Sequence, residues 1–444
     1  MGNDLLIRGG TLVTPAGLVE ADVAVAGGRI VAIGSDLGDA AESIDARGLH
    51  VLPGCIDTQV HFREPGLEHK ENLQSGTASA ALGGITAVFE MPNTNPNTDS
   101  AEQLADKVAR AERTAHVDFA FFVGATADNA ESLGALERLP GCCGIKMFMG
   151  SSTGTLLVDD TAAIRRVLAN GSRRMAVHCE DETRLLERRA LIEGADVTVA
   201  LHPVWRDEQV ALRSTQRLLD LAAECRRPVH VLHVTTAQEA ELLARHKALA
   251  SMECTPQHLT LFAPDAYEQL GSYAQMNPPI RGIEHQRALW RAVEQGVVDV
   301  LGSDHAPHTR EEKDRPYPRS PSGMPGVQTM LPLMLDAVNA GKLSLLRLVD
   351  LLCHGPQRLF GIAAKGRLVV GYDADLTIVD LKARRRIEAR WIASRCGWTP
   401  FDGREVTGWP RRTIVRGQTV MADDELVGAP GLGQAVRFQI PQGS

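Results

Sequence analysis

Val51-Leu52-Pro53-Gly54-Cys55-Ile56-Asp57-Thr58-Gln59-Val60-His61-Phe62 is a short apolar run that turns polar toward its far end. Runs of the same kind recur at about 85–92, 117–126, 144–149, 174–181, 228–236, 249–256 and 297–304. Helical patterns fall between them: Ser100 to Thr114, Asp159 to Ala169, Asp207 to Arg226, Ala237 to Leu249 and Glu284 to Gln295. Strands that run in one direction need a crossover connection, so this alternation predicts a parallel sheet. Eight such strands are the number that closes a (β/α)8 barrel. An open doubly wound sheet competes, but no glycine-rich dinucleotide fingerprint follows an early strand. The expected fold class is α/β, a TIM-like (β/α)8 barrel.

Outward from these runs the chain changes character. Leu5-Leu6-Ile7, Ala21 to Val25 and Arg29 to Ile33 are separated by Gly9-Gly10 and Gly27-Gly28, a pattern of short strands and hairpin turns. Arg367 to Asp380 and Arg412 to Gly417 read the same way. The two ends are expected to build one small composite β-sandwich, from residues 1–52 and 363–444, beside a barrel over 53–362.

The 444 residues are 44 % apolar and 23 % charged, ordinary for a chain with a large core, which excludes disorder and collagen-like repeats. Basic residues number 47 and acidic ones 55, a net charge of −8 without a basic face, which argues against nucleic acid as partner. No run approaches the ~18 apolar residues of a membrane span. Met1-Gly2-Asn3-Asp4-Leu5 opens without the basic, then apolar, pattern of a secretory signal, so the cytoplasm is the expected location. The eight cysteines form no Cys-x-x-Cys pair and mostly sit in apolar runs, as small buried hydrophobes do.

Barrel enzymes carry their chemistry at the C-terminal strand ends. Here those ends read Gln59-Val60-His61-Phe62-Arg63, Glu90-Met91-Pro92-Asn93, Ile145-Lys146-Met147, Val177-His178-Cys179-Glu180, Leu232-His233-Val234 and Ser303-Asp304-His305. A lone histidine at a strand end is ordinarily a hydrogen-bonded structural residue. His61, Lys146, His178, His233 and Asp304 together are different, because closing the barrel converges them, and imidazole and carboxylate are the usual zinc ligands. An ammonium cannot ligate a metal, and burying its charge there is costly. A neutral Lys146 can instead add CO2 to give a carbamate able to bridge two metals; a salt-bridged lysine is the bland alternative, disfavoured by the apolar strand.

Two other patterns fail on context. Gly150-Ser151-Ser152-Thr153-Gly154 matches the nucleophile elbow but belongs to the loop after Lys146 and reads as a glycine-rich loop. Cys179 adjoins His178, yet strand neighbours point to opposite faces, so it reads as packing.

In order, these motifs, with Met276-Asn277-Pro278-Pro279, Gly323-Met324-Pro325-Gly326 and Gly371-Tyr372-Asp373-Ala374-Asp375-Leu376, resemble the dihydroorotases of the amidohydrolase superfamily over nearly the whole chain. The resemblance implies a metal-dependent barrel that hydrolyses the cyclic amide of dihydroorotate to N-carbamoyl-aspartate, and closes it again, in pyrimidine synthesis. It implies that His61 and Asp304 hold one zinc, His178 and His233 another, with carboxylated Lys146 bridging and Asp304 as the proton carrier. Arg63, whose planar fork suits a carboxylate, Asn93 and His308 would bind the substrate carboxylate, and Asn277 the ring amide. A rim salt bridge to Glu64 or Glu68 is the plain alternative for Arg63. Allantoinases and dihydropyrimidinases share the metal scaffold but handle rings without the carboxylate, and they are the competing activities. One position departs from the family: its His-x-His begins here with Gln59, a weak ligand or none, so one or two zinc ions per chain are expected. A silent homologue that partners aspartate transcarbamoylase is the alternative of another class, and a homodimer or homo-oligomer is the implied assembly.

Overall fold

The computed structural model describes residues 2–152, 154–194 and 196–439. The N-terminal segment forms β1 (Asn3–Thr14), β2 (Gly17–Ala26), β3 (Arg29–Gly34), β4 (Ala40–Asp45) and β5 (His50–Pro53). The eight apolar runs then become β6 (Cys55–Val60), β7 (Ile85–Glu90), β8 (Asp118–Gly124), β9 (Cys142–Phe148), β10 (Met175–His178), β11 (Val229–Val231), β12 (Ala250–Cys254) and β13 (Val300–Leu301). From β7 onward each pairs in parallel with the strand before it. The ring closes just beyond β13, where Val60 bridges His305 and the His61 N–H donates to the His305 carbonyl at 2.7 Å. The chain is an eight-stranded parallel barrel.

The C-terminal segment adds β14 (Leu376–Arg386), β15 (Glu405–Val415), β16 (Gln418–Ala422) and β17 (Glu425–Leu426). These join the N-terminal strands in one nine-stranded sheet, because β5 pairs with β1 on one side and β14 on the other. The Gly27-Gly28 pair turns between β2 and β3 as expected, both glycines at positive φ. Gly9-Gly10 does not turn. β1 runs straight through it with a register shift between Ile7 and Gly10, so the pair is a bulge, with Gly9 at φ +64°. Arg367 to Val370 also lies outside any strand, since β14 starts only at Leu376.

The expected helices form, and four of them start on a side-chain N-cap. Ala101–Thr114 is capped by Ser100, Thr161–Ala169 by Asp160, Glu208–Cys225 by Asp207, and Ala237–Ala244 by a reciprocal Thr236–Glu239 box. The last is shorter than its pattern, which runs to Leu249. At the barrel's N-terminal end the interior is closed by an apolar plug of Ile56, Phe89, Phe122, Ala176 and Phe360. The rings of Phe89 and Phe360 meet edge to face at 5.2 Å. Polar chemistry is thereby confined to the opposite mouth. No helix among the described residues is long and apolar enough to cross a membrane.

Candidate active site

Nine of the ten side chains singled out from the sequence line one cavity of about 20 Å³ at the C-terminal mouth of the barrel: Gln59, His61, Arg63, Asn93, Lys146, His178, His233, Asn277 and Asp304. Gln59 is carried by β6, Lys146 by β9 and His178 by β10; the others follow strand ends or come from loops. The backbone bends sharply to aim three of them: Arg63, His233 and Asp304 lie at φ +65°, +35° and +44°. Side-chain-bearing residues hold such conformations only where the surroundings enforce them.

The possible metal ligands fall into two pairs within the cavity that Lys146 also lines. In one, His61 Nε2 lies 3.2 Å from Asp304 Oδ1, and His61 Nδ1 lies 2.8 Å from Asn93 Oδ1. In the other, His178 Nδ1 lies 3.1 Å from His233 Nε2. His178 Nε2 faces Glu180 Oε2 at 2.9 Å, so the outer nitrogen donates and the inner one keeps its lone pair. Burial depresses the basicity of His61, His178 and His233, leaving neutral rings fit to ligate. Burial pushes the Glu180 carboxyl up, but Arg206 and His178 outweigh it and hold it near 2.

Lys146 is buried, its Nζ has no hydrogen-bond partner, and the Phe148 ring lies 4.3 Å from it. Among the described residues no carboxylate lies within ion-pair distance of it, so the salt-bridged alternative is not what they show. Burial brings its ammonium down to about 7, so neutral amine is present at neutral pH. Among the described residues no three His, Cys, Asp or Glu side chains are grouped to hold a metal. Each pair thus lacks a third such donor, and Lys146 lines the same cavity. Two further orphaned atoms, His233 Nδ1 and Gln59 Oε1, are also buried without a partner. Gln59 turns its amide N–H to Asp304 Oδ1 at 3.0 Å.

Arg63 is buried, and among the described residues no carboxylate lies within ion-pair distance of its guanidinium; Glu64 instead pairs with Arg110. Its Nε donates to the Pro307 carbonyl at 3.2 Å, and burial lowers it to about 10. His308 does not line the cavity. It stands behind Arg63, with Lys70 Nζ donating to Nδ1 at 3.2 Å and Nε2 donating to the Ser322 carbonyl at 3.0 Å. Asn277 Oδ1 accepts from His202 Nε2 at 3.0 Å.

Ser152, Ser322 and Gly323 also line the cavity; sequence reasoning passed over Ser322 and quoted Gly323 only within the Gly323-Met324-Pro325-Gly326 motif. Ser152 was in view only as part of the glycine-rich loop, whose Thr153 is outside the described residues. Glu253 on β12 was missed too; it accepts from Thr58 Oγ1 at 3.0 Å and the His233 N–H at 3.3 Å, and burial raises it to about 8. An acidic residue in an apolar run was its one visible signal. Cys179 is buried away from the cavity, its thiol pushed by burial to about 12.

A parallel barrel with an appended sheet, and histidines, a lysine and an aspartate converging at its mouth, define a class. Residues 50–420 match the amidohydrolase family, and the chain belongs to it, as a cyclic amidohydrolase enzyme. Among curated relatives, a dihydroorotase of Methanosarcina acetivorans is 36 % identical over 94 % of this chain and 92 % of its own. An allantoinase of Rubrobacter xylanophilus is 38 % identical over 99 % of both chains. The solved L-hydantoinase (dihydropyrimidinase) of Arthrobacter aurescens superposes with a TM-score of 0.92 at 32 % identity, over 98 % of this chain and 99 % of that one.

Proposed function

We propose that the chain is a dihydroorotase, a metal-dependent hydrolase of a small cyclic amide that carries a carboxylate. One observation carries the choice of substrate: Arg63, a buried guanidinium at the cavity with no carboxylate within ion-pair distance among the described residues. A buried charge left unpaired is costly unless a ligand completes it, and a planar fork suits a carboxylate. Lys70, which feels the Arg63 charge, is itself ion-paired to Glu312 at 3.1 Å, so it leaves Arg63 uncompensated. Allantoin and hydantoin rings have no carboxylate to meet this charge.

The donor set fits zinc: His178 and His233 would hold one ion and His61 and Asp304 a second, weaker one, with Lys146, once carboxylated, able to serve both. When bound, the metal acidifies water and polarises the amide carbonyl. Arg63 holds the substrate carboxylate, with Asn93 beside it and His308 buttressing Arg63 from behind, and Asn277 orients the ring amide. Asp304 Oδ1 is engaged by Gln59 and His61, which leaves Oδ2 to take the proton of the attacking water and return it to the leaving nitrogen.

Arg63→Met tests the reading. Loss of a hydrogen-bonded charge contact worth about 1.5–3 kcal/mol should lower kcat/KM for dihydroorotate by about 10- to 150-fold. Wild-type kcat/KM in that variant would exclude the substrate pose.

A further inference from the structure

Lys313 ends the one-turn helix Arg310–Lys313 and is fully buried. Its Nζ meets three backbone carbonyls, Gln275 at 3.3 Å, Pro321 at 2.8 Å and Gly323 at 3.0 Å. Among the described residues no carboxylate lies within ion-pair distance of it. Gln275 binds the same loop from its side chain: Nε2 donates to the Ser320 carbonyl and Ser322 Oγ, both at 3.0 Å, and Oε1 accepts from Ser320 Oγ at 2.7 Å. The Gly323 N–H closes the set on the Gln275 carbonyl at 2.9 Å.

The loop so held is a wall of the catalytic cavity. Ser322 and Gly323 line it, and the Ser322 carbonyl accepts from His308, the ring behind Arg63. Asn277 follows Gln275 by two residues. The fit is close, since a Cβ on Gly323 would stand 2.4 Å from the Ala306 carbonyl oxygen. Backbone carbonyls need donors when buried, but a neutral donor would serve for that. One amine that meets three carbonyls of two loops at a single point fixes their mutual position as well.

We infer that Lys313 is a positioning residue: by gathering the 275 and 320–323 loops it sets the wall that holds His308 behind Arg63, and so shapes the carboxylate end of the cavity. This rests on the dihydroorotase reading for its kinetic consequence and on the geometry alone for its structural one. The test is Lys313→Met on the full-length, metal-loaded enzyme, read by hydrogen exchange over 318–324 and by steady-state kinetics with dihydroorotate. Exchange at the Gly323 amide should quicken, and KM should rise about tenfold while kcat stays within about twofold. Lys313→Gln, which keeps two N–H donors, should recover part of both effects. Where Lys313→Met does not fold, Ser320→Ala removes one bond of the same cluster and should move exchange and KM in the same direction to a smaller extent.

Equal falls in kcat and kcat/KM with unchanged KM, or unaltered exchange in 318–324, would overturn the inference. A wild-type enzyme inert toward dihydroorotate would instead defeat the substrate reading. The exchange measurement would then decide the role of Lys313, with KM taken on whichever cyclic amide the wild type does hydrolyse.

Discussion

Gln59 is the residue on which the metal chemistry turns. Its N–H is committed to Asp304 Oδ1 and its Oε1 has no partner, so the one atom it can offer a cation is a neutral carboxamide oxygen. Such an oxygen competes poorly with water beside imidazole donors. The ion at His61 and Asp304 should therefore be the looser, leaving first on dialysis against a mild chelator, with total zinc between one and two per chain. Gln59→His should slow that loss, measured as zinc per chain against dialysis time. Two equally tight ions in the native protein, or unchanged retention in the variant, would contradict this. The site was legible at this scale wherever a side chain sits on or just after a strand, as with Lys146, His178 and Asp304. His308 was legible as a residue but not in its place, because the turn after Asp304 sends it behind Arg63 rather than into the cavity.

At the scale of elements, the helix Leu73–Leu82 shows how closely packing and site are joined. A Cβ on Gly76 would stand 2.3 Å from the Phe62 ring, between His61 and Arg63. Gly76→Ala gains helix propensity but must displace Phe62, and overpacking of this kind costs about 1–3 kcal/mol. Thermal unfolding should report that loss together with lower kcat/KM, whereas a more stable and fully active variant would show that Phe62 can yield freely. The barrel strands were legible because strands buried on both sides are near-continuous apolar runs. Boundaries were less so: the run 297–304 yields only Val300–Leu301, since its remaining residues bend into the site. Gly9-Gly10 misled because a bulge and a turn ask the same backbone freedom of glycine, and only pairing distinguishes them. Lys313 and Ser322 carried no local signal, their role arising from loops far apart in sequence.

For the whole molecule, burial of ionisable groups sets an asymmetric response to acid. Burial lowers His202 and His230 to about 3 and His258 and His354 to about 4. The unfolded chain binds these protons near 6.5, so this set loses stability as pH falls below that value. Burial raises Asp57 and Glu90 to about 7 and Glu253 to about 8, and this set gains stability as pH falls toward 4. The two oppose each other between about pH 6.5 and 4.5, where Tm should vary little. Below that the raised carboxylates are protonated in both states, and the histidines, joined by Glu180, act unopposed; Tm should drop steeply, and a Tm still rising at pH 3.5 would contradict the assignment. The central claim is that the cavity selects a cyclic amide by its carboxylate. It is tested most directly by kcat/KM of the wild-type enzyme for dihydroorotate and for dihydrouracil, the same ring without that group. Dihydroorotate should be favoured by at least about tenfold, the worth of one charged contact. Equal values, or a preference for dihydrouracil, would contradict it.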